Sequence, residues 1–309
     1  MGEYSKASII KYTRKAVGMT QEELAEGICE PGTLSRYENG QLDPTDDKFE
    51  RLMQKMGESG CRCLFPVHCD VANVQIEMEK LLYDIEKADW DAVKKQKEKI
   101  ETKFRLCSDY PENRQYLKRI EVITEYKKRN IDIQEAIQKM REVLYETFGT
   151  CEPETIPINR VLRATEILVA FNLATYYEIA KNRKKALAIC KRLDEYFNRA
   201  DMVNDYKPRY VVYVGYSNLL GLNGDYDDSI AICKREIELL WNKGELNYLY
   251  NFYYNMGWNI RKKIENKLEK QIRIKEAKCY VWMAYQLCKV YPENKGNLKK
   301  IEEFYNTFD

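Results

Sequence analysis

The sequence contains little histidine, glycine or proline, and each shortage excludes something. His68 is the single histidine among 309 residues, and no nucleophile elbow, P-loop or H-E-x-x-H motif occurs. The usual hydrolase and nucleotide-dependent chemistries therefore lack their parts. Glycine and proline number only 14 and 8, and because these residues interrupt helices, we expect long helices. We expect a protein that is not an enzyme and needs no cofactor.

Long apolar runs are also missing. No stretch approaches the roughly 18 apolar residues that a membrane-spanning helix needs, and the N-terminus lacks a signal-peptide core. Hydrophobic residues make up 44% of the chain and charged residues 32%, which is typical of a folded globular protein. The length suggests two folded units, one of them elongated. We expect a cytoplasmic protein without a membrane partner.

Ten cysteines are present, most of them isolated within helical patterns. In a reducing compartment such residues act as small hydrophobic side chains. One cluster differs, because it offers four soft ligands within nine residues: Cys61, Cys63, His68 and Cys69. It lacks the paired C-x₂-C spacing of usual zinc sites. We favour an ordinary linker, with a metal or thiol sensor as the alternative, and assign no resident metal.

Residues 20–40 predict two short helices joined by a turn. Thr20 and Glu23 have the spacing of a capping box, and Pro31 suits the first turn of a second helix. Leu34 would face inward, while Arg36 would face solvent. Such a pair can present its second helix to the DNA major groove. The predicted helices near the N-terminus are about 5–16, 20–27, 31–38 and 45–56.

The run T-Q-E-E-L-A, followed by T-L-S-R-Y-E-N-G, resembles the helix-turn-helix of the phage-repressor class. The E-G-I-C run between them and the later tyrosine-rich helices resemble the peptide-pheromone-responsive transcriptional regulators of Gram-positive bacteria, the Rgg, PlcR, NprR and PrgX relatives. The motif likeness covers about residues 6–57; beyond it the likeness is architectural. Charge, position and this resemblance together predict contacts to double-stranded DNA from Arg14, Lys15, Thr20, Gln21, Glu30, Gly32, Thr33 and Arg36.

The charge of this segment argues against tight binding by one copy. Residues 1–57 contain eight basic and ten acidic residues, whereas counterion release on DNA favours a positive surface. We therefore expect a homodimer that reads two half-sites.

A repeat follows in the rest of the chain. Residues 181–197 parallel residues 224–241, with Cys190 aligned on Cys233 at an offset of 43 residues. The turn at residues 224–226 resembles the tetratricopeptide pattern, although ordinary repeats of that kind are about 34 residues long. The predicted fold is all-α, an N-terminal helix-turn-helix bundle followed by a tetratricopeptide-like α-solenoid. The expected domains are 1–57 for DNA binding, 58–70 as a linker, and 71–309 for sensing and dimerisation.

A row of asparagines marks a candidate ligand surface. Asn247, Asn251 and Asn255 follow one another at i+4 on one predicted helix, and Asn259 continues the row. Tyr254 and Trp258 lie on nearly the same stripe. A carboxamide both donates and accepts, so such a row can clamp an extended peptide backbone. A plain solvated stripe is the alternative. The predicted peptide-binding residues are Asn172, Tyr176, Tyr213, Asn218, Asn247, Asn251, Tyr254, Asn255 and Trp258.

These patterns predict a transcriptional regulator whose helical-repeat domain binds a short signalling peptide and couples it to operator binding. The alternative is a regulator whose repeats bind a protein partner, with a DNA-binding domain that only localises it. A narrow groove lined by asparagines would favour a peptide, and a broad apolar patch would favour a protein.

Overall fold

A computed structural model describes residues 5–58, 77–78, 80–81, 84–85, 89–103, 110–199, 207–242, 244, 246, 248–268, 271–290 and 295–308. All regular elements within these residues are helical. The predicted all-α class, with an N-terminal helix-turn-helix followed by helical repeats, is confirmed. The apolar run at 210–214 lies inside a helix.

The contacts divide the chain into two compact units, residues 1–206 and 207–309. The predicted division into a DNA-binding domain, a linker at 58–70 and a sensor stays a prediction, since most of that linker lies outside the described residues. The first unit contains the helix-turn-helix and the helices up to residue 199.

The helices of the first unit begin where capping residues allow them to. Asp132, for example, accepts hydrogen bonds from the first backbone amides of its helix, which lack partners within the helix. The helices are α1 (Lys6–Val17), α2 (Gln21–Ala25), α3 (Pro31–Glu38), α4 (Asp46–Lys55), α5 (Trp90–Lys103), α6 (Pro111–Lys127), α7 (Ile133–Phe148), α8 (Ala164–Ile179) and α9 (Arg183–Arg199).

From α6 onward, each helix of the first unit packs on the next one in the chain, and α6 also contacts α8. The helix-turn-helix is tied to this body by Tyr12 of α1. The Tyr12 hydroxyl donates to the Ile158 carbonyl oxygen over 2.7 Å, and its ring meets Tyr196 edge-on with centroids 6.0 Å apart. Tyr196 in turn accepts from the Leu162 amide over 3.0 Å. A buried phenol thus joins α1 to the segment that precedes α8.

The second unit contains α10 (Lys207–Asn223), α11 (Tyr226–Asn242), α12 (Leu249–Glu265), α13 (Ile274–Lys289) and α14 (Lys295–Tyr305), each packed on the next. Glycine allows a close approach between α12 and α13. A Cβ on Gly257 of α12 would lie 2.8 Å from the Ala277 carbonyl oxygen and 2.5 Å from Val281 Cγ2 of α13. Only a residue without a side chain permits this approach.

Candidate DNA-binding and ligand-binding sites

The two helices of the helix-turn-helix form as their caps predict. The Thr20 side chain accepts from the Glu23 amide over 3.1 Å, and the Glu23 carboxylate accepts from the Thr20 amide over 2.7 Å. Gly27 adopts a φ of 75° in the turn, which costs glycine little. Pro31 opens α3, where its missing N–H has no partner to lose.

A buried carboxylate fixes α3 against α1 and α2. Glu38 accepts from Arg14 Nε at 2.6 Å and Nη2 at 2.9 Å, and from Gln21 Nε2 at 2.7 Å. Burial raises the pKa of Glu38, but these hydrogen bonds outweigh burial, so the pKa lies below its ordinary value. Two of the predicted DNA contacts, Arg14 and Gln21, therefore meet at one internal carboxylate, and Arg14 Nη1 also donates to the Met19 carbonyl oxygen.

Helix α4 holds the turn between α2 and α3. Arg51 Nη2 donates to the Gly27 carbonyl oxygen over 2.8 Å, and Lys55 Nζ donates to the Glu26 carbonyl oxygen over 2.7 Å. Cations suit the carbonyl end of a helix. The turn that aims α3 is therefore fixed from a third side.

The outer face of α3 is open. Arg36 and Gly32 are exposed and Thr33 is partly exposed, while Leu34 and Tyr37 are buried, as predicted. The Arg36 side chain forms no ion pair or hydrogen bond with any described residue, and Gly32 has no neighbouring atom within 4 Å of a built Cβ. The remaining predicted contacts, Glu30, Thr20 and Lys15, are also exposed. The face offers one guanidinium above a backbone that a ligand can approach closely.

A pocket of about 180 Å³ lies between α10, α12 and α14 in the second unit. Its polar lining consists mainly of carboxamides, and Lys300 is its one charged side chain. Lys300 Nζ lies 5.3 Å from the centroid of the Tyr254 ring, and burial raises the pKa of that tyrosine. The lining residues are Val214, Gly215, Asn218, Tyr250, Asn251, Tyr254, Asn255, Asn297, Lys300 and Ile301.

The predicted asparagine row turns from this pocket into the core. Asn251 lines the pocket, and its side chain has no partner among the described residues. Asn255 also lines it, but Nδ2 donates to the Val214 carbonyl oxygen at 3.2 Å and to Ser217 Oγ at 2.8 Å. Asn255 therefore offers the pocket an acceptor, its Oδ1, rather than a donor. Asn259 is buried, and its Nδ2 donates to Ser229 Oγ over 2.8 Å.

Other predicted peptide-binding residues of the second unit lie elsewhere. Tyr213 is fully buried, and its ring centroid lies 4.9 Å from the guanidinium carbon of Arg209 and 4.6 Å from that of Arg235. Trp258 is partly buried beside Tyr226, outside the pocket lining. Asn247 lies outside the described residues.

The two predicted residues of the first unit lie together on α8. Asn172 Oδ1 accepts from Arg119 Nε of α6 over 2.8 Å. Tyr176 is buried, with its ring centroid 5.1 Å from that of Tyr126. Sequence reasoning did not single out Arg119, because nothing in the spacing within α6 marks it as buried.

The sequence also failed to indicate the third wall of the pocket. Asn297 and Lys300 lie on α14, 42 and 45 positions beyond Asn255. Their pattern carries no sign of which helix they face, so only tertiary packing brings them to the site. The weak metal candidates Cys61, Cys63, His68 and Cys69 lie outside the described residues, and the residues that are described contain no cluster of potential metal ligands.

Within the described part of the chain, no helix combines the length and apolar character that crossing a bilayer requires.

Comparisons with known proteins support the helix-turn-helix and the repeat fold. The helix-turn-helix family matches residues 10–60, so the chain carries a domain of that class. No curated protein matches the chain by sequence.

Three solved structures share the fold over nearly the whole chain. PlcR of Bacillus thuringiensis, in complex with the peptide PapR7 and DNA, is 16% identical, with 98% of both chains covered and a TM-score of 0.59. Apo PlcR is 15% identical, covering 95% of this chain and 98% of that one, with a TM-score of 0.57. ComR of S. thermophilus, in complex with DNA and its signalling peptide ComS, is 16% identical, covering 98% and 99%, with a TM-score of 0.54. At this identity the likeness shows a shared fold, which confirms the predicted architecture.

Proposed function

We propose that this chain is a DNA-binding transcriptional regulator that responds to a short peptide. For DNA binding, the observation that carries the proposal is the open face of α3, where Arg36 is exposed without a partner among the described residues. A guanidinium in this position suits a phosphate or the O6/N7 edge of guanine. PlcR and ComR, whose fold this chain shares, were each solved with DNA and a peptide bound. DNA binding would place the action of the protein in the cytoplasm.

The DNA contacts that we retain are those with accessible side chains or backbone: Lys15, Thr20, Glu30, Gly32, Thr33 and Arg36. Arg14 and Gln21 would act indirectly, because their bonds to Glu38 fix the direction of α3. The excess of acidic residues in positions 1–57 leaves one copy with little general attraction to DNA. We therefore include a homodimer in the proposal, with half-sites about one helical turn apart.

The pocket of the second unit supports a peptide as the ligand. It is small, and four of its lining residues are asparagines. Asn251 has a free donor and acceptor, and Asn255 offers an acceptor. These groups match the N–H and C=O groups of an extended backbone, whereas a protein partner would favour a broad apolar patch.

DNA binding is tested by selecting duplexes from a randomised pool and measuring affinity by fluorescence anisotropy at several salt concentrations. Arg36→Ala should weaken binding by about 1–3 kcal/mol if it reads a base, or lower the salt slope by about 1 if it holds a phosphate. Lys127→Ala is the matched control, because it also removes one exposed cation. Equal affinities and salt slopes for wild type, Arg36→Ala and Lys127→Ala would reject the assignment of α3.

Peptide binding is tested with a synthetic pool of randomised heptapeptides passed over the immobilised protein and identified by mass spectrometry. Enriched peptides are then titrated by calorimetry. Asn251→Ala should weaken their binding by about tenfold, the effect of losing one or two hydrogen bonds. Asn242→Ala removes an exposed carboxamide at the end of α11 and should not change it. Retention of peptides with unchanged affinity in Asn251→Ala would exclude this pocket as their site.

A further inference from the structure

Arg119 is the basis for a second binding site, in the first unit. The side chain lies between α6 and α8 and is only 7% exposed. Its Nε donates to Asn172 Oδ1 over 2.8 Å, and the phenol groups of Tyr116 and Tyr176 lie close enough to affect its pKa. All of these partners are neutral. We call this set, Arg119, Asn172, Tyr116 and Tyr176, the Arg119 cluster.

The two other arginines that are buried among the described residues have carboxylate partners. Arg209 pairs with Glu236 at 2.8 Å, and Arg163 pairs with Glu112 at 3.2 Å. Arg119 has no acidic partner anywhere in the described residues. Burial lowers its pKa to about 10, so it remains a cation at neutral pH. A buried charge without a counter-ion is costly, and native structures seldom keep one without a reason.

The cluster has unused hydrogen-bonding capacity besides its charge. The Tyr116 hydroxyl is sealed from solvent and has no hydrogen-bond partner among the described residues. The terminal nitrogens of Arg119 also have no hydrogen-bond partner among the described residues, but unlike the Tyr116 hydroxyl they are not fully shielded from solvent. The remaining exposure of Arg119 therefore includes its two terminal nitrogens. These two nitrogens form the fork that binds a carboxylate bidentately.

We propose that the Arg119 cluster binds a ligand carboxylate, which supplies the missing counter-ion. Asn172 holds the Nε edge and so fixes the plane of the guanidinium, which leaves the terminal fork for the ligand. Because Tyr176 belongs to the cluster and packs on the Tyr126 ring, a carboxylate that enters the site exchanges water for partly apolar surroundings, where the ion pair strengthens. The inference rests on the proposed peptide function for the source of the carboxylate, a C-terminus or an acidic side chain, but not for the anion site itself.

The first arm of the test needs no peptide. Thermal unfolding of the whole chain is compared in sodium acetate and sodium chloride at equal ionic strength and pH 7. Acetate should raise the melting temperature of wild type and of Lys127→Met by about 2–4 °C, as mass action on a weak site predicts. Arg119→Met should show no acetate shift. This variant should fold, because it replaces an uncompensated buried charge with a side chain of similar length.

The second arm uses the randomised heptapeptides, half with free and half with amidated C-termini. Preferential retention of free C-termini, abolished by Arg119→Met, identifies a C-terminal carboxylate. Enrichment of Asp and Glu irrespective of the terminus identifies a side-chain carboxylate. Both results support the proposal. An acetate shift that depends on Arg119, with no peptide retained, upholds the carboxylate site and rejects the peptide receptor. The proposal is overturned if wild type shows neither acetate shift nor carboxylate preference, or if Arg119→Met leaves them unchanged.

Discussion

The buried carboxylate of Glu38 allows a sharp test of how α3 is held in place. Its side chain is 2% exposed and accepts three hydrogen bonds, two from Arg14 and one from Gln21. Glu38→Gln keeps the size but removes the charge, and its NH₂ group then faces donors on one side. Removing one partner of a buried pair costs about 3–5 kcal/mol, and because the Arg14 side chain keeps 13% exposure, we expect about 2–4 kcal/mol.

The assay is hydrogen exchange with mass spectrometry on the whole chain, which reports local opening of α1 and α3 separately from the repeats. Glu22→Gln is the matched control, because Glu22 is exposed on α2 and its carboxylate acts on Arg14 only through a charge interaction, without a hydrogen bond to any described residue. If Glu38→Gln and Glu22→Gln change the opening free energy of α3 by the same amount, within about 0.5 kcal/mol, the reasoning about the buried pair is wrong.

The same carboxylate predicts a pH dependence. The folded pKa of Glu38 lies below its ordinary value of 4.5. Its contribution is therefore fully present above pH 4.5, and it is lost as the pH falls through the lower, folded pKa. Wild type should lose protection of α3 in that acidic window, whereas Glu38→Gln should show a flatter profile. A profile equally steep in both proteins would contradict the assignment.

Three further predictions concern stability and reactivity. Gly257→Ala should destabilise the second unit by about 1–3 kcal/mol, because the added Cβ would contact the α13 backbone. In Gly32→Ala the added Cβ points into open space, so the free energy of unfolding should stay within about 1 kcal/mol of wild type. Urea unfolding of both variants measures the difference. Asn255→Ala should lower the free energy of unfolding by about 1–3 kcal/mol, because it removes two hydrogen bonds of a buried side chain. Asn251→Ala should leave that free energy unchanged. A similar decrease in both variants would contradict the role of the Asn255 hydrogen bonds. Burial raises the pKa of the Cys233 thiol to about 12, so iodoacetamide at pH 8 should label Cys233 only after unfolding, as mass spectrometry can check.

The helix-turn-helix was predictable because local chemistry determines it. The capping box at Thr20, the proline at position 31 and the apolar spacing of Leu34 and Tyr37 all act within a few residues. The structure places α3 at Pro31–Glu38, as the sequence predicts. The pairing of Arg14 with Glu38 was not predictable, since the partners are 24 residues apart. From the sequence, Arg14 was interpreted only as a basic residue available to contact DNA.

Helical periodicity alone does not show which asparagines of the row face the pocket and which are buried. A step of four residues advances about 400° around a helix, so each member is turned about 40° from the previous one. Asn251 consequently faces the pocket, Asn255 lies at its edge, and Asn259 reaches the core beside α11. The sequence predicted correctly that these asparagines lie on a helix, but it could not show which of them are buried by neighbouring helices. Whether these residues bind a peptide stays a prediction.

The bond between Tyr12 and Ile158 has a consequence for how this protein should be handled in the laboratory. A fragment that ends soon after α4 would leave the Tyr12 phenol without its acceptor and its edge-on contact with Tyr196. A face that is packed in the whole chain would then be open to water, and such faces promote self-association. Affinities or oligomeric states measured on an isolated helix-turn-helix fragment would therefore reflect an exposed face that is covered in the intact chain.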